Sequence, residues 1–122
     1  MGMGKNNLST FNIGTLTSWN TAKVTNMSFM FSNTATNATW STLGTLKVYA
    51  TNIQGIFNWA TGVKVTMNIY SNPTTYSSAF FNSAYMNSAS VVVNYKSTTT
   101  NIDSIIATKS SWSNVTKGSV LS

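Results

Sequence analysis

The chain has 122 residues, enough for one domain with a modest hydrophobic core, and 42% of them are hydrophobic. Asn, Ser and Thr fill 54 positions, whereas charged residues are only 7%, against about 25% in typical globular domains. The net charge of +6 comes from seven scattered lysines and one acid, Asp103, and without His, Cys, Glu or Arg the chain has no disulfide framework and no zinc, iron or copper ligand set.

The first elements in the chain are a short strand and an apolar turn. Residues 10–13 alternate polar and apolar side chains, which predicts a strand. The spacing then changes to i, i+3, i+4 at Met27, Met30 and Phe31, so these side chains share one face of a helical turn. Asn26 suits an N-cap of that turn, because its side chain can accept a hydrogen bond from a backbone N–H.

The same two elements recur along the chain. Segments 45–50, 66–71 and 91–95 are predicted as strands, and an apolar turn follows each of them. One aromatic or aliphatic residue of each turn marks the period. These markers are Phe31, Phe57, Phe81 and Ile106, which stand 26, 24 and 25 residues apart.

A fixed period of this length, with one strand and one turn per unit, is typical of a leucine-rich-repeat solenoid. The sequence predicts one such domain over 1–122, with short parallel strands, short helical or 3₁₀ turns and about four units of 24–26 residues. Residues 1–9 are assigned to an N-terminal arm or cap, 10–106 to the repeats and 107–122 to a C-terminal cap or tail. The predicted repeat core consists of Met27, Met30, Phe31, Ile53, Ile56, Phe57, Phe80, Phe81, Ile102, Ile105 and Ile106.

The segment 19–31 resembles the repeat of the BspA-like leucine-rich-repeat proteins, a family of bacterial surface proteins and Mycoplasma-type lipoproteins. That repeat has an apolar-x-apolar strand followed by W-D-T-S-x-V-T-x-M-S-x-M-F. Asn20 and Ala22 stand where the family favours Asp and Ser. The resemblance implies a non-catalytic surface module for adhesion or recognition, and it carries over no catalytic or ligand residues. The matching positions are Trp19, Thr21, Val24, Thr25, Asn26, Met27, Ser28, Met30 and Phe31.

Several kinds of chemistry and partner are not expected. General acid–base catalysis needs a titratable group near the working pH, and a single carboxylate cannot form a pair, so we predict no enzyme, no cofactor and no metal. Asp103 is expected to favour the start of the turn at 102–106 through the helix dipole. Isolated lysines without arginine do not predict nucleic-acid binding. No apolar run approaches the ~18–20 residues that cross a bilayer, and no signal peptide is visible at the N-terminus.

Two functions remain open. The first is a structural module on the exterior of a particle, such as a phage virion decoration or tail-attachment component, which self-associates or docks on a protein through its solenoid ends. The second is a bacterial cell-surface adhesin domain that binds a host protein or a glycan through loop aromatics. Both place the chain on a virion surface or at the extracellular or cell surface. Ice binding is not favoured, because the Thr-x-Thr pairs do not recur at the repeat period. The candidate contact residues are Trp19, Trp40, Trp59, Trp112, Tyr49 and Tyr70.

Overall fold

A computed structural model describes residues 19–31, 44–58, 64–81, 90–109 and 115–122. The four strands of these segments form one parallel sheet in the order β1-β2-β3-β4, so each strand pairs with the next one along the chain. The elements are β1 (Gly44–Val48), β2 (Lys64–Ile69), β3 (Ser90–Lys96), α1 (Ile102–Ala107) and β4 (Val115–Leu121).

Each strand forms where the sequence alternates between apolar and polar side chains. In β2, Val65, Met67 and Ile69 are buried, whereas the residues between them are partly exposed. The register aligns these positions across the sheet, since Leu46 pairs with Met67 and Met67 with Val93. One face of the sheet is therefore apolar and covered, and the other is polar.

The predicted strands at 45–50, 66–71 and 91–95 are confirmed as members of this sheet. The predicted strand at 10–13 lies outside the described residues. Strand β4 was not predicted, because a β-bulge interrupts its alternation. Val93 pairs with Lys117 but Tyr95 pairs with Val120, so β4 has one residue more than β3 over this interval.

A second parallel ladder runs along the apolar turns. Asn26 pairs with Asn52, and Asn52 pairs with Thr75, as isolated bridges. The backbone N–H of Phe31 donates to the carbonyl oxygen of Ile56 over 2.8 Å, which continues the first of these pairings. Successive turns are therefore hydrogen-bonded to one another, as successive strands are.

Asparagine side chains fix the start of two of these turns. As predicted for Asn26, its Oδ1 accepts a hydrogen bond from the backbone N–H of Ser28, over 2.9 Å. The Oδ1 of Asn52 accepts from the backbone N–H of Gln54 over 3.1 Å. Both contacts close the Asx turn for which asparagine is favoured.

Three phenylalanine rings form a column through the core. The ring centroids of Phe31 and Phe57 are 5.2 Å apart and those of Phe57 and Phe80 are 6.3 Å apart, with planes within 9° in both pairs. The sequence spacing aligned Phe81 with Phe57, which is wrong, since Phe81 is 39% exposed. The N–H of Phe57 donates to the carbonyl oxygen of Ala79, and this pairing places the next residue, Phe80, on the column.

The inner face of the sheet and the apolar turns form one hydrophobic cluster. Of the remaining predicted core residues, Ile106 is partly buried and packs against this cluster. The others are buried within it, namely Met27, Met30, Ile53, Ile56, Ile102 and Ile105. The opposite face of the sheet points away from the core.

Hydroxyl side chains link segments that are distant in the sequence. The buried Thr21 donates from Oγ1 to the carbonyl oxygen of Lys47, 26 residues away. Ser71 donates to the carbonyl oxygen of Ala50, and the buried Thr99 donates to that of Ser71, across 21 and 28 residues. These hydroxyl side chains therefore satisfy backbone groups between neighbouring segments, which is one structural use of a composition rich in Ser and Thr.

The turns also share a left-handed backbone position. Phe29, Gly55 and Ser78 have φ of 57°, 60° and 55°. They occupy corresponding places on the turn ladder, since the N–H of Phe29 donates to Gln54 and that of Gly55 to Ser77. Only glycine adopts this conformation without a steric cost.

Replacing Ser78 with glycine is therefore expected to raise the free energy of unfolding by about 0.5–1 kcal/mol. The gain is the relief of left-handed strain of about 1–2 kcal/mol, reduced by the greater freedom of glycine in the unfolded chain. Urea denaturation measures the difference. Ser77→Gly is the matched control, because Ser77 is also exposed and its φ is not positive. That control should be destabilised, and a Ser78→Gly variant that is destabilised equally would contradict the prediction.

Candidate functional site

The strand residues that alternate with the core residues form a polar surface, the outer sheet face. Its side chains are hydroxyls, amides, ammonium groups, two tyrosines and one valine. The single acid of the chain, Asp103, lies in α1, so this face has no side-chain carboxylate. The outer sheet face consists of Thr45, Lys47, Tyr49, Lys64, Thr66, Asn68, Tyr70, Ser90, Val92, Asn94, Lys96 and Thr116.

Two tyrosines stack at the carboxyl ends of β1 and β2. The ring centroids of Tyr49 and Tyr70 are 5.0 Å apart and their planes are within 14°. The N–H of Tyr70 donates to the carbonyl oxygen of Val48 over 2.8 Å, which extends the strand pairing to this row. The stack matches the ~4.7–4.9 Å between neighbouring strands, so the backbone ladder fixes the position of both rings. Tyr49 is 39% exposed.

A row of amides crosses the sheet beside the tyrosines. The Nδ2 of Asn94 donates to the Oδ1 of Asn68 over 2.9 Å, and the Oδ1 of Asn94 accepts from the N–H of Ser119 over 2.8 Å. A backbone N–H can only donate, so this last bond fixes which way the amide of Asn94 faces, and Asn94 in turn fixes Asn68. The Nδ2 of Asn68 is then left as a donor beside Lys47, its partner in the sheet register.

Gly118 makes room for this row. A Cβ at this position would lie 2.1 Å from the Oδ1 of Asn94 and 3.0 Å from Cγ1 of Val92. The β-bulge in β4 and the absence of a side chain at Gly118 therefore belong together, because they let Asn94 reach the backbone of Ser119. The order of the amide row depends on the last strand of the sheet.

An open hollow of about 310 Å³ lies at the amino-terminal ends of the first three strands. Lys64 supplies an exposed ammonium there, and Thr45, Thr66 and Ser90 supply hydroxyls. The ammonium donates hydrogen bonds and the hydroxyls both donate and accept them, so the hollow offers polar contacts to a ligand. The hollow is lined by Gly44, Thr45, Lys64, Val65, Thr66, Ser90 and Val92.

The one ion pair of the described residues links α1 to β4. The Nζ of Lys117 lies 2.9 Å from Oδ1 of Asp103, and the two side chains are 42% and 83% exposed. The hydrogen bond to Asp103 raises the pKa of Lys117 above its ordinary 10.5. The ammonium also lies 5.3 Å from the ring centroid of Tyr95. Asp103 occupies the first turn of α1, as predicted, but its lysine partner was not foreseen.

The structure brings together two of the six predicted contact residues, Tyr49 and Tyr70. Trp19 is partly buried against the hydrophobic core. The remaining candidates, Trp40, Trp59 and Trp112, lie outside the described residues.

Sequence reasoning missed three residues of the outer sheet face that lie beside the tyrosines, namely Lys47, Asn68 and Asn94. A usable signal was present for two of them. Lys47 and Asn68 occupy the same outward position of the predicted strands 45–50 and 66–71, two residues before Tyr49 and Tyr70. The alternation within these strands would therefore have placed them on the face that carries the tyrosines.

Comparisons with protein-family models, with curated proteins and with solved structures found no match for this chain. Across the five described segments, no group of three or more His, Cys, Asp or Glu residues could hold a metal ion. The single helix of those segments, with six residues, does not have the length of a membrane span. The outer sheet face must be interpreted from its own geometry.

Proposed function

We propose that the chain is a leucine-rich-repeat-like solenoid that acts as a non-enzymatic binding module, and that its outer sheet face binds a glycan. The observation that carries this proposal is the stacked pair of Tyr49 and Tyr70 beside an ordered row of amides. Aromatic rings next to fixed donors and acceptors suit a ligand with apolar ring faces and many hydroxyls.

The two parallel ladders support the solenoid. Along the sheet, Gly44 pairs with Val65 and Lys64 with Ser90, whereas along the turns Asn26 pairs with Asn52. These steps are 21, 26 and 26 residues, close to the period of the apolar pattern. Each repeat unit then contributes one strand and one turn and stacks on its neighbours. The resemblance to the BspA-like repeat predicts the same arrangement.

Preorganisation supports the binding role. The rings of Tyr49 and Tyr70 support each other, and the amides of Asn68 and Asn94 are held by hydrogen bonds that end on a backbone N–H. Side chains that are already ordered lose little conformational entropy when a ligand binds. A surface that served only solubility would not need this order.

Self-association through the edge of the sheet is the second candidate function. The edge strand β4 favours it less than glycan binding. Strand β4 exposes Val120 at 57%, which could join another copy. However, it also contains a β-bulge and the charged Lys117, which are devices that keep edge strands from pairing. A module on a virion or on a bacterial cell surface remains the setting that we propose, with the outer sheet face as its contact.

Glycan-array binding of the whole chain tests the proposal. We expect Tyr49→Ala to bind about tenfold more weakly to the glycans that the parent chain binds. This is the equivalent of about 1.4 kcal/mol of lost ring contact. Phe81→Ala is the matched control, because Phe81 and Tyr49 are each 39% exposed and Phe81 is not on the outer sheet face. That control should bind as the parent does. Failure of the parent chain to bind any glycan, or full binding by a folded Tyr49→Ala variant, would refute the proposal.

A further inference from the structure

We infer that the glycan bound by the outer sheet face is an anionic polysaccharide, whose carboxylate or sulfate group is held by Lys47 and Asn68. This inference rests on the proposed function and names its ligand class. The hydrogen bonds that order the amide row leave two donors at its end beside the tyrosine stack, the Nδ2 of Asn68 and the Nζ of Lys47. The position of these two donors determines which part of a bound ligand carries the negative charge.

The charge of the outer sheet face is entirely positive. It carries Lys47, Lys64 and Lys96 without a side-chain carboxylate, in a chain with a net charge of +6. Such a surface attracts anions and raises their rate of association. Lys96 is already used, because its Nζ donates to the carbonyl oxygen of Ser122 over 3.0 Å. Lys47 and Lys64 remain for a ligand.

The ammonium of Lys47 lies beside an amide donor. It pairs with Asn68 in the sheet register, so the two outward side chains are direct neighbours. The Oδ1 of Asn68 accepts a hydrogen bond from the Nδ2 of Asn94, and within the described residues neither the Nδ2 of Asn68 nor the Nζ of Lys47 donates to an acceptor. Two adjacent donors, one of them charged, suit the two oxygens of a carboxylate or two oxygens of a sulfate.

The tyrosine stack lies at the right distance for the sugar ring. Tyr49 follows Lys47 by two residues on the same face, and two strand residues span about 7 Å. A sugar ring packed against Tyr49 can therefore direct an attached anionic group towards Lys47 and Asn68. The ligand class follows from this pairing of an aromatic contact with an anion contact.

Nucleic acid is also a polyanion, but the geometry favours it less. Single-stranded nucleic acids are held by bases that stack on exposed ring faces. Tyr49 and Tyr70 stack on each other with their centroids 5.0 Å apart, so together they offer a single aromatic platform and not a series of platforms for successive bases. The chain also has no arginine to clamp a phosphate with two parallel hydrogen bonds.

The test compares four polymers against the whole chain by biolayer interferometry, at low and high salt. Polygalacturonate supplies carboxylates, dextran sulfate supplies sulfates, dextran is neutral and poly(dT) is a nucleic acid. We expect binding to one or both anionic polysaccharides, weakened by salt, and a loss of about tenfold in Lys47→Gln. Lys109→Gln is the matched control, because it removes the same charge from a position after α1, where the Nζ donates to the carbonyl oxygen of Val115 and does not lie on the outer sheet face. It should bind within about twofold of the parent.

Each other outcome has a definite meaning. Binding to only one of the two anionic polysaccharides supports the inference and identifies the anionic group. Equal binding of dextran, with Lys47→Gln unchanged, overturns the inference and leaves the glycan-binding proposal standing. Equal losses in Lys47→Gln and Lys109→Gln overturn it as well, because they indicate unspecific attraction. Binding of poly(dT) alone, or of no polymer and no glycan of the array, overturns both proposals.

Discussion

Replacing Phe57 with alanine is expected to lower the free energy of unfolding by about 3–5 kcal/mol. Phe57 is fully buried, and its ring lies between those of Phe31 and Phe80, at 5.2 and 6.3 Å. Truncation opens a cavity between neighbouring turns that cannot close easily, because the backbone bonds between those turns fix their separation. Small domains have a total stability of about 5–15 kcal/mol, so this loss endangers the fold.

Urea denaturation followed by circular dichroism measures this loss, and Phe81→Ala provides the comparison. Phe81 follows Phe80 directly and is 39% exposed, so its truncation should cost much less than that of Phe57. The contrast also tests the alignment of the turns. If Phe81→Ala were the more damaging variant, the phenylalanine column would be assigned to the wrong residue. If Phe57→Ala melted as the parent does, contact between successive turns would not stabilise the domain.

The apolar pattern predicted most of the described sheet and turns, because both periods have a direct physical cause. A strand with one buried face must alternate, and a short turn that buries one side must repeat at i, i+3, i+4. These rules located three of the four strands and the buried residues of the apolar turns at 27–31 and 53–57. They need no knowledge of which segments pair. The prediction that these two turns are helical or 3₁₀ was wrong, because each contains a residue with a left-handed backbone, Phe29 or Gly55.

The errors in the predicted core and strands concern features that depend on which segments pair. Phe80 and Phe81 are equally apolar, so the spacing of side chains cannot choose between them. The choice depends on the backbone bond from Phe57 to Ala79, which is a long-range contact. Strand β4 was missed for a related reason, since its bulge opposite Asn94 exists only in the presence of β3.

The candidate site shows the same division between what local sequence predicts and what long-range pairing determines. Tyr49 and Tyr70 were selected from the sequence as aromatic residues near loops or repeat edges, and the parallel register then determines that they stack. The orientation of Asn68 could not be derived from local sequence. It depends on Asn94 and, through it, on the backbone of Ser119. A candidate site built across strands is specified by residues that are far apart in the chain.

Replacing Thr99 with valine is expected to lower the free energy of unfolding by about 1–3 kcal/mol, the cost of leaving buried polar groups without a partner. Thr99 is 2% exposed, and its Oγ1 donates to the carbonyl oxygen of Ser71 over 2.8 Å and accepts from the N–H of Lys96 over 3.3 Å. Valine keeps the shape and removes both bonds, so the change isolates the hydroxyl. Thr98→Val is the control, because Thr98 is exposed, and its effect should stay within about 0.5 kcal/mol. Equal stability of the two variants by urea denaturation would mean that buried hydroxyls do not hold neighbouring segments together, and that the Ser- and Thr-rich composition needs another cause.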